Sequence, residues 1–126
     1  MRVLLVDDNQ AMLNRVATVL TPDCEIVAAV NDGPAAIRAV DALHPEVIVL
    51  DISMPGMTGL EVASRLRAAG SKAAVVFLTV HDDEEFVVAA RAAGGVGYVV
   101  KRRLGADLLH AVKEAQAGRS FTSSLP

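Results

Sequence analysis

The chain has 126 residues, 52% of them hydrophobic, and a formal net charge of −3 at pH 7. That length suits one domain with a substantial core, and the mildly acidic, dispersed charge argues against direct nucleic acid binding. Its apolar runs fall far short of the roughly 20 residues needed to cross a bilayer. A single cysteine, Cys24, excludes an internal disulfide, and three scattered histidines offer no zinc spacing. Met1-Arg2 runs directly into a strand pattern with no signal-peptide layout, so a cytoplasmic protein without membrane contact is expected.

In chain order, the apolar run Val3-Leu4-Leu5-Val6 reads as a first strand and ends in Asp7-Asp8. Asn9 or Asp8 then caps a helix with Leu13, Val16, Ala17 and Leu20 on one face, which ends at Thr21-Pro22-Asp23. Glu25 to Val30 reads as the second strand. The turn Asn31-Asp32-Gly33 leads into a helix with Ala36, Val40 and Leu43 inward, stopped at His44-Pro45 because a residue before proline avoids the α region. The third strand, Val47-Ile48-Val49-Leu50, closes on Asp51 and the Met54-Pro55-Gly56 turn. A helix carrying Val62, Ala63 and Leu66 follows and ends at Gly70-Ser71, where glycine can take a left-handed cap.

Ala74 to Leu78 reads as the fourth strand, ending at Thr79. His81-Asp82-Asp83-Glu84-Glu85 begins a helix with acids where the dipole favours them, and Phe86, Ala89, Ala90 and Ala93 form its stripe. Gly97 to Val100 is the fifth strand and runs into Lys101. The last helix carries Leu108, Val112 and Ala115 and ends at Gly118, leaving Arg119 to Pro126 as a short polar tail. The expected organisation is one domain over residues 1–118 and a tail over 119–126.

Continuous apolar runs alternating with helices imply parallel strands buried on both faces. The expected fold is an α/β, flavodoxin-like (βα)5 sandwich with a five-stranded parallel sheet of order 2-1-3-4-5. Every strand then ends on one edge, where open α/β sheets bind ligands. Asp7, Asp8, Asp51, Thr79 and Lys101 are expected to meet there.

Three crowded carboxylates repel, which raises at least one pKa unless a hard cation removes the conflict. Mg2+ (or Mn2+) suits such a site, because it takes one or two carboxylates and completes its shell with water and phosphate oxygens. Asp8 and Asp51 are the expected direct ligands, Asp7 acts directly or through water, and the backbone carbonyl of Ser53 is a further candidate. Asp51 is the central carboxylate and the best candidate nucleophile toward phosphorus. Lys101 and the Thr79 hydroxyl would take phosphoryl oxygens in the product.

The ordered motifs LLVDDN, VIVLDISMPGMTGLE, VVFLTVHDDEE and GYVVKRRL resemble the receiver domain of two-component response regulators over about residues 2–118. His81-Asp82-Asp83-Glu84 and Ala117-Gly118-Arg119 are similar to the NarL/FixJ-like subfamily. The resemblance implies Mg2+-dependent phosphotransfer from the phosphohistidine of a sensor histidine kinase to Asp51, with Thr79 and Tyr98 as a switch pair. It implies a switch that assists its own phosphotransfer and autodephosphorylation rather than a turnover enzyme. Ser53 and His81 occupy positions that tune dephosphorylation in that family. Val80 stands where the family often has alanine or serine, so it is expected to narrow access to Asp51. The Lys101-Arg102-Arg103-Leu104-Gly105 stretch lacks the Ser-Pro or Thr-Pro often found there, which puts the usual helix-5 cap in question. Arg102 and Arg103 read as solvated.

Other readings explain fewer residues. A haloacid-dehalogenase-like phosphatase wants a second acid where Ser53 stands, and a nucleotide-binding domain wants a glycine-rich loop where Asp7-Asp8 stand. A phosphorylation-independent pseudo-receiver scaffold is the alternative, disfavoured because all five key residue types are present. The output is expected to go to a downstream protein or to a fused output domain absent from this chain. A homodimer through helices 1 and 5, or through helix 4, strand 5 and helix 5, is left open.

Overall fold

The computed structural model describes residues 1–125. Strand β1 (Arg2–Val6) is followed by α1 (Gln10–Leu20), β2 (Glu25–Val30), α2 (Gly33–Leu43), β3 (Val47–Leu50) and α3 (Gly59–Ala68). Then come β4 (Ala74–Thr79), α4 (Glu84–Ala92), β5 (Gly97–Val100), a 3-10 turn (Lys101–Arg103), α5 (Leu104–Gln116) and β6 (Phe121–Thr122). The strands form one parallel sheet of order β2-β1-β3-β4-β5-β6.

The alternation along each strand divides the core in two. Leu4, Val6, Ile48, Leu50, Val75, Phe77 and Tyr98 face α2, α3 and α4, where they meet Ala36, Val40, Val62, Leu66, Val87 and Ala90. Val3, Leu5, Val47, Val49, Val76, Leu78 and Val99 face α1 and α5, meeting Leu13, Val16, Leu20, Leu104, Leu108 and Val112. This is the period of two expected for a sheet covered on both sides. Each fully buried Val, Leu or Phe contributes about 1.5–3 kcal/mol relative to exposure. The central strands therefore form a rigid base under the sheet edge.

Polar side chains set the helix starts. Asn9 accepts from the Met12 N–H at 3.0 Å, Asp32 from Ala35 at 2.8 Å, and Thr58 from Glu61 at 3.2 Å. Each satisfies an amide that the first helical turn leaves free. Helices α4 and α5 have no such side-chain cap. For α5, the 3-10 turn Lys101–Arg103 leads into the helix in place of the missing Ser-Pro or Thr-Pro. His44 ends α2 at φ 47°, outside the right-handed region that Pro45 disfavours.

Two expectations need correction. The sheet has six strands rather than five, because Phe121 and Thr122 of the expected polar tail pair in parallel with Gly97 and Tyr98. Such a short strand carries no periodic signal, and its place is set by contacts made after the chain returns from α5. The inward stripe of α4 is also shifted: Ala90 and Ala93 are buried as expected, but Val87 joins them, while Phe86 and Ala89 are only half-buried. Phe86 packs at the margin of the core and also stacks on the His81 ring, with centroids 3.9 Å apart and planes 8° from parallel.

Candidate functional site

Strand register places the polar residues. Val6 pairs with Leu50 and Thr79 with Val100, so Asp7, Asp51 and Lys101 each follow a paired, buried strand residue at the same sheet edge. The Asp7 N–H donates to the Val30 carbonyl at 3.1 Å, and the Asp51 N–H donates to the Val6 carbonyl at 3.0 Å. These bonds extend the ladder one step and fix both carboxylates. Asp8, one residue further on, is exposed.

The turn after Asp51 is equally constrained. Ile52 and Met54 are buried and anchor it, while Ser53 and Pro55 face solvent. Gly56 has φ +78°, the left-handed region that favours glycine. Gly59 opens α3, and its N–H donates to the Ile52 carbonyl at 2.8 Å. A Cβ at Gly59 would overlap the Asp51 carbonyl oxygen, so only glycine lets the helix start this close to Asp51.

The four charged groups gather as expected. One carboxylate oxygen from each of Asp7, Asp8 and Asp51 lies within 4.8 Å of the others. The Lys101 ammonium lies 2.9 Å from Asp7 Oδ2 and 3.5 Å from Asp51 Oδ1. Asp7 Oδ1 accepts from the Asn9 N–H at 2.9 Å, so both Asp7 oxygens are partnered within the protein. Asp51 is 4% exposed. Its carboxyl is pushed up to about 6 by burial and by the Asp7 charge, with Lys101 opposing and Asp8 adding to the rise. One ammonium does not neutralise three carboxylates, and this all-oxygen donor set fits a hard divalent cation.

Thr79 is fully buried at the end of β4, and its hydroxyl accepts from the His81 N–H at 3.2 Å. Tyr98 is 2% exposed, and its hydroxyl donates to the His81 carbonyl at 2.7 Å. Burial, with Asp82 and Asp83 nearby, pushes the Tyr98 phenol up to about 12. The two backbone groups of His81 thus hold the two residues expected to form a switch. Val80, between Thr79 and His81, is 66% exposed at the rim of the site.

The His81 side chain makes a contact that the sequence does not signal. Its Nε2 lies 2.6 Å from Ser53 Oγ, joining the loops after β3 and β4 across a separation of 28 residues. Lys101 also pairs more closely with Asp7 than with Asp51, whereas the sequence suggests a phosphoryl partner. Beyond the sheet edge, Arg102 and Arg103 are exposed as expected, and they pair with Asp82 at 3.1 Å and with Asp107 at 2.8 Å.

The family model described as "Response regulator receiver domain" matches residues 3–113. The nitrate/nitrite response regulator protein NarL of Escherichia coli (strain K12) is 35% identical over 123 residues, covering 96% of this chain and 57% of that protein. NarP of the same organism is 37% identical over 124 residues, covering 97% of this chain and 58% of that protein. The chain thus spans little more than half the length of these curated relatives. Among solved structures, a two-component response regulator of the LuxR family from Aurantimonas sp. SI85-9A1 superposes with a TM-score of 0.91 at 29% identity, over 95% of this chain and 87% of that one. The acidic sheet edge, the six-strand parallel fold and these matches agree that the chain belongs to the response regulator receiver domain family, in its NarL/FixJ-like branch.

Proposed function

We propose that the chain is a phosphorylation-operated switch in which Asp51 accepts a phosphoryl group from a sensor histidine kinase. The observation that carries this reading is the convergence of Asp7, Asp8, Asp51 and Lys101 at one sheet edge, with Asp51 raised to about 6. A carboxyl with that pKa is mostly ionised at neutral pH and so available as a nucleophile, yet it is poorly neutralised by its neighbours. An arriving divalent cation relieves that conflict and offsets the charge a phosphoryl group on that oxygen brings.

Asp8, Asp51 and the Ser53 carbonyl would hold Mg2+ (or Mn2+), with Asp7 directly or through water. When bound, the cation supplies neutralisation of phosphoryl charge. In the transfer, an Asp51 carboxylate oxygen bonds to phosphorus as the N–P bond of the donor phosphohistidine breaks, and the leaving imidazole keeps the electron pair and takes up a proton. Lys101 moves its ammonium from Asp7 toward a phosphoryl oxygen, stabilising charge that develops in the transition state. Catalysis here is mainly placement, because the strand ends hold these groups in position before the donor arrives.

The switch follows from the hydrogen bonds. A phosphoryl group at Asp51 adds roughly 1.5 to 2 negative charges. Its oxygens accept from the Thr79 hydroxyl and draw that side chain toward Asp51, away from the His81 N–H it now accepts from, and any shift of His81 is felt by Tyr98 through its carbonyl. The inward Tyr98 ring is the arrangement that a phosphoryl group at Asp51 would favour. Water attack on the acyl phosphate, assisted by the same residues, resets the switch, and Ser53 with His81 tunes its rate. Output then passes to a protein partner or to an output domain outside residues 1–126, and a cytoplasmic location fits this role. The scaffold alternative leaves the raised Asp51 and its lysine without a purpose.

The test is chemical trapping. Acetyl phosphate with Mg2+, followed by borohydride, reduces an aspartyl phosphate to homoserine, which peptide mapping locates. Homoserine at position 51 supports the proposal; its absence, or its appearance at Asp7 or Asp8, refutes the assignment.

A further inference from the structure

We propose that residues 121–125 act as a strap whose docking is coupled to the phosphoacceptor site through Tyr98 and the start of α5; this rests on the phosphoacceptor reading above. The strap is held along β5, the strand that leads to Lys101. The Phe121 N–H donates to the Val96 carbonyl at 3.0 Å, and the Ser123 N–H donates to the Tyr98 carbonyl at 2.8 Å. The backbone of the switch residue is thus clamped directly by the strap.

Ser123 carries the strongest signal. In a segment of polar character its side chain is 1% exposed, the opposite of what a solvated tail would show. Its hydroxyl accepts from the Val100 N–H at 3.3 Å and donates to Asp107 Oδ2 at 2.7 Å. Asp107 is gripped in turn by two hydrogen bonds from Arg103, at 2.8 and 3.2 Å. Val100 immediately precedes Lys101, and Arg103 follows it by two residues. One buried hydroxyl therefore ties the strap to both sides of the lysine that contacts Asp7 and Asp51.

The strap also reaches α4. Arg91 donates to the Thr122 hydroxyl at 2.9 Å, and Leu125 packs against the apolar cluster that contains Tyr98. Strand β4 lies on one flank of β5 and the strap on the other. A Tyr98 ring leaving the core past β5 would have to pass the flank that the strap occupies. The seated strap and the inward ring are thus two parts of one arrangement.

Coupling of this kind is reciprocal: whatever loads Asp51 tightens the strap, and the seated strap favours loading by the same factor. A strap that merely finishes the sheet edge would be indifferent to Asp51. The two cases are separated with the full chain, Mg2+ and beryllofluoride as the phosphoryl mimic. Calorimetry gives its affinity for the native chain, Ser123→Ala and the surface variant Arg91→Ala, and hydrogen exchange gives the protection of the Phe121 and Ser123 amides with and without the mimic.

Ser123→Ala is expected to bind beryllofluoride roughly fivefold more weakly or worse, Arg91→Ala to shift in the same direction, and loading to raise strap protection in the native chain. Unchanged affinity in both variants, or strap protection indifferent to loading, overturns the coupling while leaving the phosphoacceptor intact. A native chain that takes up no beryllofluoride and no phosphoryl group overturns both.

Discussion

Replacing Asp51 by asparagine is expected to make the protein more stable at neutral pH, although it removes the central residue of the site. The Asp51 carboxyl titrates near 3.8 in an unfolded chain and about 6 in the folded one, raised first by burial and then by the Asp7 charge. A group whose folded pKa is raised contributes stability that is fully present below pH 3.8 and is lost as the pH climbs through 6. Above that, the folded state holds a buried carboxylate it would rather protonate. A gap of about two units is worth at most about 3 kcal/mol, and about half survives screening by solvent at the exposed Asp8 rim. Asp51→Asn is near-isosteric and removes the charge, so a gain of about 1.5 kcal/mol, or about 5 °C in Tm, is expected at pH 8. Paired thermal and urea unfolding of the native chain and Asp51→Asn, from pH 4 to 8 without divalent ions, reads the difference directly. The gain is expected to be near zero at pH 4, to grow between pH 4 and 6, and to level off above. A variant less stable than the native chain at pH 8, or a difference independent of pH, refutes the electrostatic reasoning.

Other perturbations probe the neighbours. Lys101→Met leaves Asp7 and Asp51 facing each other without their ammonium and is expected to destabilise by about 2 kcal/mol at pH 8; urea titrations should show the loss shrinking as Asp51 protonates at lower pH. Ser53→Ala and His81→Ala each cut the bond between the loops after β3 and β4. Both are expected to change the half-life of the phosphorylated protein in the same direction, with the double variant no further from native than the larger single effect; additive effects would show that the two side chains act separately. Val80→Ala is expected to speed phosphorylation by acetyl phosphate, and equal rates would show that the exposed valine does not screen Asp51.

The sheet and its acidic edge were legible because physics writes them plainly. Runs such as Val47–Leu50 must be buried on both faces, and parallel topology brings their ends together, so Asp7, Asp51 and Lys101 could be placed before any coordinates. Crowding implied at least one raised carboxyl, and Asp51 is the one raised, by burial first and the Asp7 charge second. What escaped was set by tertiary contact. Phe121 and Thr122 form a strand through contacts far along the chain, among them those of Ser123 with Asp107 and the Val100 N–H and of Arg91 with Thr122. In α4, Val87, Val88, Ala89 and Ala90 are all apolar, so periodicity cannot choose a face; the stacking of Phe86 on His81 and the burial of Val87 make the choice. Ser53 and His81 lie in separate loops, and nothing local in either announces a partner.

The most direct measurement is the intact mass of the protein after incubation with acetyl phosphate and Mg2+. One phosphoryl group is expected on the native chain, none without the metal and none on Asp51→Asn. No adduct on the native chain, or an adduct that survives in Asp51→Asn, would contradict the assignment of Asp51 as the phosphoacceptor.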